Sequence, residues 1–256
     1  MDISVYVQSL REYGYAVIPG HIKASVLLDL EMKLERIKAD ELQNPLRDIH
    51  FIDKQKSIVS SMHNLSHILP FFNEMMGDTL LTRIVSEYYQ DDLSEDVFNS
   101  SYFAKPKIHG LATRAHQDNA YFNRNPSEVI TCWFGLDDSD AGNGGLYYYR
   151  GSDKMGDLPH VANGNLGASM MLSQASLTQC QQKYQKKTLT LKRGDLVLHN
   201  CLVVHGSLNN HSNRNRRGIN FSFSTERAMV DKLKYERYQE QLGFFLKNKK
   251  EDFALV

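Results

Sequence analysis

The chain is poor in cysteine, in proline and in long apolar runs. Its 256 residues include three cysteines, Cys132, Cys180 and Cys201, which lie far apart. An odd, widely spaced set excludes a disulfide framework, and the sequence has no CxxC pair that would indicate a zinc or redox motif. No stretch approaches the roughly 18 to 20 apolar residues that a membrane-spanning helix needs. These absences exclude disulfide-rich secreted scaffolds and helical membrane channels.

Net charge is also absent, because 30 Lys and Arg residues balance 30 Asp and Glu residues. A chain without a net field has no bulk attraction for nucleic acid or for an anionic membrane surface. The segment MDISVYVQSLREYGYAV lacks the basic and apolar regions of a secretory signal. We therefore expect a cytoplasmic protein with reduced cysteines, and neither a nucleic-acid nor a membrane partner.

What the chain does contain is enough apolar material for a folded core, since 41% of its residues are hydrophobic. The first hundred residues show mainly helical spacing of apolar side chains, and residues 231–248 return to a charged helical pattern. Between them, about 101–225, short β-prone runs are separated by turn signals, which is typical of a β-sandwich or barrel. These runs are SSYFAKPKI, EVITCWFGL, GGLYYYR, LTLKRGDLVLHNCLVVHG and RRGINFSFS. Because no linker divides the chain, residues 1–256 are predicted to form a single domain.

Three residues distant in sequence have the character of metal ligands. His116 and Asp118 form an HxD pair, and alternation along a strand would direct both side chains to the same face. His205 ends a strong β run 87 positions after Asp118. Two histidines and one carboxylate form a facial triad, which suits Fe(II) and leaves coordination positions open. Arg216 opens the next predicted strand, and its rigid fork of donors suits a carboxylate of a metal-bound dicarboxylic acid.

Two of these assignments have rivals. His199 lies six residues before His205, so the same alternation places both imidazoles on one face. The HGS context and the spacing to the arginine favour His205 and leave His199 as a packed strand histidine. Arg217 competes with Arg216, and a polar inner face made by Gly218, Asn220 and Ser222 would favour Arg216. The opposite orientation stays open, since phenylalanines such as those at 221 and 223 often line a core.

Four segments, HQDNAYF, CWFGLDD, NGGLYYYRGSDK and HGSLNNHSNRNRRG, occur in an order that resembles the phytanoyl-CoA dioxygenase (PhyH) family of Fe(II)/2-oxoglutarate oxygenases. The resemblance runs from about Gly14 to Ser224. It implies a mainly β fold with flanking helices and a double-stranded β-helix core (jelly roll, cupin-like). RGSD at residues 150–153 departs from the PGSH that the family usually has there, so we expect altered loop packing or substrate contact at this point.

The resemblance also implies roles for individual residues. The implied metal ligands are His116, Asp118 and His205, and the residues implied for 2-oxoglutarate are Arg216, Ser207, Lys105 and Trp133. Asn119, Tyr121 and Phe122 follow the HxD pair directly and are predicted to contact the substrate.

The predicted function is therefore a non-haem Fe(II)/2-oxoglutarate-dependent dioxygenase that consumes O2 and hydroxylates an unactivated C–H bond of a small molecule, releasing succinate and CO2. The alternatives are a cupin-like metal-binding isomerase or epimerase, and a non-catalytic binding module. The substrate, the oligomeric state, and whether residues 150–187 form a lid or a plain surface loop stay open.

Overall fold

The structure is a computed structural model that describes residues 2–43, 49–52, 55, 57–108, 110–163 and 170–253. His109 and the residues 164–169, part of the segment considered as a lid, lie outside the described residues.

Helices surround a central set of strands. In the described ranges the α-helices are α1 Ser4–Tyr13, α2 Ala24–Gln43, α3 Phe71–Met75, α4 Thr79–Tyr89, α5 Asn119–Phe122, α6 Gln174–Lys183 and α7 Lys232–Phe253, with short 3-10 helices at Leu65–His67 and Ser152–Met155. The strands are β1 Tyr15–Ile18, β2 Ile49–Phe51, β3 Val59–Met62, β4 Phe98–Lys105, β5 Thr113–His116, β6 Arg124–Asn125, β7 Val129–Gly135, β8 Leu146–Tyr149, β9 His160–Ala162, β10 Met170–Leu172, β11 Lys186–Thr188, β12 Leu196–Asn200, β13 His205–Ser207, β14 Arg216–Ser224 and β15 Met229–Val230.

Two antiparallel sheets form the jelly-roll core. The major sheet has the order β1-β12-β7-β14-β4-β3-β2, and the minor sheet has the order β11-β8-β13-β5. Two small ladders, β9 with β10 and β6 with β15, lie outside these sheets. The observed architecture is mainly β with flanking helices, which confirms the predicted fold class.

The outer face of the major sheet packs against the N-terminal helices. Ile219, Phe221 and Phe223 of β14 are buried together with Leu30 of α2 and Ile84 of α4. Because side chains alternate along a strand, the residues between them point into the barrel. Burial of this apolar surface is the main favourable contribution to folding, at about 25 cal/mol per Å². The strand β14 therefore has a polar inner face and an apolar outer face. This is the orientation that the sequence analysis required for Arg216, rather than Arg217, to point inward.

Most of the predicted elements are present, and two regions differ from expectation. The first hundred residues also contain β2 and β3, which extend the major sheet beyond β4. Residues 150–187 are more than a plain loop, because they include the paired strands β9 and β10 and the helix α6. This helix begins after Ser173, whose side chain accepts a hydrogen bond from Ser176 N. None of the described helices combines the length and apolar character needed to cross a bilayer.

Candidate metal centre

His116, Asp118 and His205 meet between the two sheets. His116 is the last residue of β5, Asp118 follows two residues later, and His205 begins β13, where the register places it opposite His116. Both imidazole Nε2 atoms lie 3.5 Å from Asp118 Oδ1, and the three ligand atoms are all within 4.8 Å of one another. All three side chains are buried. The structure therefore brings together the three residues predicted as metal ligands.

The hydrogen bonds of the two imidazoles leave their Nε2 atoms available as ligands. His116 Nδ1 donates to Arg114 O at 2.8 Å, and His205 Nδ1 donates to Val203 O at 3.1 Å. A neutral imidazole with its proton on Nδ1 has a lone pair on Nε2, which is the usual second-shell arrangement of a metal-binding histidine. Two nitrogen lone pairs and one carboxylate oxygen thus converge with no proton between them, a donor set that fits a cation.

The ionisation of the cluster agrees with this donor set. Burial, together with the neighbouring His116, holds the pKa of His205 well below its ordinary value, so the ring stays neutral. Burial alone would raise the pKa of Asp118, but the surrounding imidazoles, His205 first, outweigh it and hold that pKa well below its ordinary value. A neutral imidazole and an ionised carboxylate are the protonation states that a divalent metal requires.

The second carboxylate oxygen of Asp118, Oδ2, makes its contacts away from the Nε2 atoms of His116 and His205. Thr131 Oγ1 donates to Asp118 Oδ2 at 2.7 Å, and His199 Nε2 lies 3.0 Å from the same oxygen. The other nitrogen of that ring, Nδ1, lies 3.1 Å from the hydroxyl of Tyr148. His199 and His205 do not share a strand as predicted, because the run is divided into β12 of the major sheet and β13 of the minor sheet. Their rings nevertheless meet, with centroids 4.5 Å apart, and the contact of His199 with Asp118 was not predicted.

Gln117, the residue between the two ligands, is fully buried and connects the metal-ligand segments. Its amide nitrogen donates to Gly156 O at 2.8 Å and to Leu202 O at 2.6 Å, and its amide oxygen accepts from Leu158 N at 2.8 Å. Its backbone N–H donates to His160 Nε2 at 2.9 Å. Sequence reasoning passed over Gln117, because the middle residue of an HxD pair has no required chemistry of its own.

Lys105 and Arg216 lie opposite each other on β4 and β14. Arg216 Nε donates to Gly144 O at 3.1 Å, and Lys105 Nζ donates to Leu111 O. Burial, and then the neighbouring Arg216, lowers the pKa of Lys105 to about 6, and burial lowers the pKa of Arg216 to about 10. Within the described part of the chain, Arg216 Nη2 is buried and has no hydrogen-bond partner. A buried guanidinium with an unsatisfied nitrogen, paired with a buried amine that an anion would help to protonate, fits an anionic ligand.

Trp133 and Ser207 are the other two residues predicted for the cosubstrate. The guanidinium carbon of Arg216 lies 5.1 Å from the centre of the Trp133 ring. Ser207 is buried on β13 and pairs with Leu146 of β8. Leu146 lies two residues after Gly144, whose carbonyl accepts the hydrogen bond from Arg216. The structure therefore places all four residues predicted for the cosubstrate on the inner faces of the barrel.

Arg217, the rival of Arg216, points to the other side of the sheet. Its guanidinium donates to Asp137 Oδ1 and to Glu31 Oε1, each at 2.7 Å. These bonds join β14, the end of β7 and α2 and satisfy the side chain. The structure thus places the side chain of Arg216, and not that of Arg217, on the inner face of the barrel, and binding of 2-oxoglutarate by Arg216 stays a prediction.

The three residues predicted to contact the substrate have different surroundings. The side chain of Asn119 closes its own loop, because its amide nitrogen donates to Ser127 Oγ at 2.8 Å and its amide oxygen accepts from Arg124 N at 2.9 Å. Tyr121 stands edge-on to the ring of His116 with the centroids 5.7 Å apart. Phe122 packs against Phe98 with the ring centroids 5.2 Å apart. Tyr121 is thus in contact with the metal cluster, and substrate contact by all three residues stays a prediction.

Comparison with known sequences points to one family. The family model for phytanoyl-CoA dioxygenase (PhyH) matches residues 10–218. The phytanoyl-CoA dioxygenase domain-containing protein 1 homolog of Caenorhabditis elegans is 29% identical over 175 residues, which cover 64% of this chain and 58% of that protein. The peroxisomal phytanoyl-CoA dioxygenase of Mus musculus is 25% identical over 228 residues, covering 84% of this chain and 66% of that protein. The matched region thus spans less than two thirds of the length of these curated relatives.

Comparison with solved structures supports the fold. The structure of EctD from S. alaskensis with 2-oxoglutarate and 5-hydroxyectoine has a TM-score of 0.72 at 16% identity and covers 88% of this chain and 77% of that one. SnoK, a non-heme alpha ketoglutarate dependent carbocyclase from nogalamycin biosynthesis, has a TM-score of 0.69 at 18% identity, with 88% and 85% coverage. At these identities the likeness establishes the shared architecture.

Proposed function

Because the chain belongs to the phytanoyl-CoA dioxygenase family, we propose that it is a non-haem Fe(II)/2-oxoglutarate-dependent dioxygenase that hydroxylates a small molecule. The proposal covers one domain over residues 1–256, with the β-helix core carrying the site. A cytoplasmic location and the absence of a nucleic-acid partner stay predictions.

The observation that carries the proposal is the convergence of His116 Nε2, His205 Nε2 and Asp118 Oδ1 within 4.8 Å of one another. These residues would hold Fe(II) through two imidazoles and one carboxylate, and a triad of this kind leaves positions free for a chelating cosubstrate and O2. Their buried position between two sheets also keeps bulk water from the ligand atoms.

The anion site beside the triad supports 2-oxoglutarate as the cosubstrate. Arg216, with its unsatisfied Nη2, would bind the distal carboxylate, and Lys105 and Ser207 would add hydrogen bonds to it. Trp133 would close one side of the pocket. A dicarboxylic acid would neutralise the buried Arg216 guanidinium and would favour the protonated form of the neighbouring Lys105 amine.

When bound, the iron would couple oxidative decarboxylation of 2-oxoglutarate to hydroxylation of a C–H bond, giving succinate and CO2. The protein's own contribution is positioning. His116, Asp118 and His205 fix the metal, Arg216 and Lys105 fix the orientation of the keto acid, and Tyr121 limits the space beside His116. Specificity for the primary substrate then depends on side chains around this opening.

The buried Arg216–Lys105 pair supports this function over a cupin-like isomerase or epimerase that does not use 2-oxoglutarate, and over a non-catalytic binding module. Neither alternative needs a buried site for a dicarboxylic acid, and neither would release CO2 from 2-oxoglutarate.

The test is a turnover assay on the purified chain with 2-oxoglutarate, with and without Fe(II) and with and without O2. We expect succinate only when both are present, and a visible charge-transfer band when Fe(II) and 2-oxoglutarate are combined without O2. The Asp118→Ala variant should lose both signals. Absence of the charge-transfer band in the unaltered protein, together with absence of succinate, would contradict the oxygenase proposal.

A further inference from the structure

A third imidazole lies beside the proposed metal centre without being part of the donor set. The ring centroid of His199 is 4.5 Å from that of His205, and its Nε2 is 3.0 Å from Asp118 Oδ2. His199 comes from β12 of the major sheet, whereas His116 and His205 belong to the minor sheet. The side chain is buried, so its two nitrogens depend on protein partners.

Hydrogen-bond chemistry assigns the direction of each bond around this ring. An ionised carboxylate can only accept, so His199 Nε2 must carry the hydrogen that Asp118 Oδ2 receives. In the Nε2–H tautomer, Nδ1 has a lone pair and accepts the hydroxyl hydrogen of Tyr148, which lies 3.1 Å away. Burial raises the pKa of this phenol well above its ordinary value, so Tyr148 keeps the proton that it donates. Tyr148, His199 and Asp118 thus form one directional chain of hydrogen bonds.

The chain ends on the oxygen that does not face the metal ligands. Asp118 Oδ2 receives both His199 Nε2 and Thr131 Oγ1, whereas Oδ1 lies 3.5 Å from each ligand nitrogen. His199 and Thr131 are paired residues on β12 and β7, so the two donors come from neighbouring strands of the major sheet. The aspartate is thereby attached to the sheet that carries neither histidine ligand.

We propose that His199 is a positioning residue that holds Asp118 so that Oδ1 alone is presented to the metal, with Tyr148 fixing the required tautomer of the His199 ring. The inference rests on the proposed function, because it concerns the same metal centre. It assigns a task to a histidine that the sequence left as a packed strand residue. In this role His199 is not a fourth metal ligand, because its Nε2 contacts the far oxygen of Asp118. The possible metal-binding group among the described residues consists of His116, Asp118 and His205.

The experiment uses Co(II) as the metal probe and measures affinity by calorimetry and coordination by visible absorption, without turnover. His199→Ala should weaken Co(II) binding 10- to 100-fold, the usual effect of losing a partner of a metal ligand. His199→Gln keeps an N–H donor and should stay within about threefold of the unaltered protein. Tyr148→Phe should give an intermediate loss, because the ring keeps its packing but loses the bond that fixes the tautomer.

The matched control is His21→Ala, which removes another histidine–carboxylate bond, 2.8 Å from His21 Nε2 to Asp78 Oδ2, away from the metal cluster. This variant should keep the Co(II) affinity even where its melting temperature falls. Melting temperatures of all the metal-free variants separate loss of fold from loss of metal affinity.

The absorption spectra decide between positioning and ligation. If His199 positions Asp118, the double variant His199→Ala/Thr131→Val frees Oδ2, and saturating Co(II) should show weaker bands from a higher coordination number. If His199 were a ligand, the single Ala variant would give stronger bands from a lower coordination number, which would overturn the inference, as would an unchanged affinity in His199→Ala. Failure of the unaltered protein to bind Co(II) would instead count against the proposed function.

Discussion

Lys105 and Arg216 are paired across the β4–β14 ladder, and both side chains are buried on the inner face of the barrel. Burial, with Arg216 as neighbour, lowers the pKa of Lys105 to about 6. In the free protein this amine is therefore largely neutral at pH 7.5, while Arg216 keeps its charge. A dicarboxylate bound between them would favour the protonated amine, so binding of the anion should take up a proton.

The first prediction is that 2-oxoglutarate binds more weakly as the pH rises above about 6. The sign follows from linkage, because above the pKa of the free lysine each binding event must add a proton. The affinity should fall by up to tenfold per pH unit until the pH reaches the pKa that the lysine has in the complex. Anaerobic calorimetry at pH 7.5 in buffers of different ionisation enthalpy measures the proton uptake directly. Lys105→Met should bind more weakly and without uptake, and a pH-independent affinity of the unaltered protein would contradict this prediction.

The second prediction separates two neighbouring arginines. Arg216→Ala should raise the KM for 2-oxoglutarate by 10- to 100-fold, because it removes a buried charge-assisted bond to the carboxylate. Arg217→Ala should leave that KM unchanged and lower the melting temperature by a few degrees, since its ion pairs with Asp137 and Glu31 are partly exposed and contribute about 1 kcal/mol. Steady-state kinetics and thermal melts of the two variants check both halves. A rise in KM with Arg217→Ala alone would reverse the assignment.

The residues on strands were predictable because alternation carries information about which side chains share a face. His205 and Arg216 follow from that rule combined with a family resemblance. The rule does not explain Asp118, because β5 ends at His116 and Asp118 has helical backbone angles at the start of α5. The side chains of His116, Asp118 and His205 meet all the same. The apolar outer face of β14 likewise follows from the spacing of Ile219, Phe221 and Phe223. These features depend on local periodicity, which a single sequence displays.

The contacts that hold the ligands were not predictable, because they join segments far apart in sequence. Gln117 reaches Leu202, and His199 reaches Asp118, through tertiary packing that no spacing rule encodes. The strands β2 and β3 were missed for a related reason, since they are short and join the sheet only by pairing with each other and β4. Sequence alone therefore predicted which candidate ligands would converge better than it predicted their surroundings.

The third prediction concerns Gln117, whose side chain holds Gly156, Leu158 and Leu202. Gln117→Leu has a similar size but leaves these three backbone groups without their partner, which costs about 1 to 3 kcal/mol per buried group. We expect a lower melting temperature and about tenfold weaker Co(II) binding, because the segment after β8 and the turn before His205 lose their common anchor. Calorimetry and thermal melts measure the two effects.

The control is Gln181→Leu. Gln181 is an exposed residue of α6, and the variant loses one long hydrogen bond to the Tyr149 hydroxyl, so it should change neither the melting temperature nor the Co(II) affinity. Unaltered metal affinity in Gln117→Leu would show that the anchor does not position the ligands.

The fourth prediction concerns the space above Gly218, the inner-face residue next to Arg216 along the alternation of β14. A Cβ at this position would lie 2.6 Å from Trp133 Nε1, well inside van der Waals contact, so Gly218→Ala must displace the indole ring. Overpacking of this kind costs typically about 1 to 3 kcal/mol. Because the Arg216 guanidinium lies 5.1 Å from the same ring, the displacement should also disturb the proposed carboxylate site. We expect a lower melting temperature together with a raised KM for 2-oxoglutarate. Gly243→Ala is the control, because among the described residues nothing beyond its chain neighbours and its own helix backbone lies within 4 Å of a Cβ placed there. Alanine at this position of α7 should leave the KM unchanged and slightly favour the helix. An unchanged KM in Gly218→Ala, despite a loss of stability, would place the cosubstrate away from Trp133.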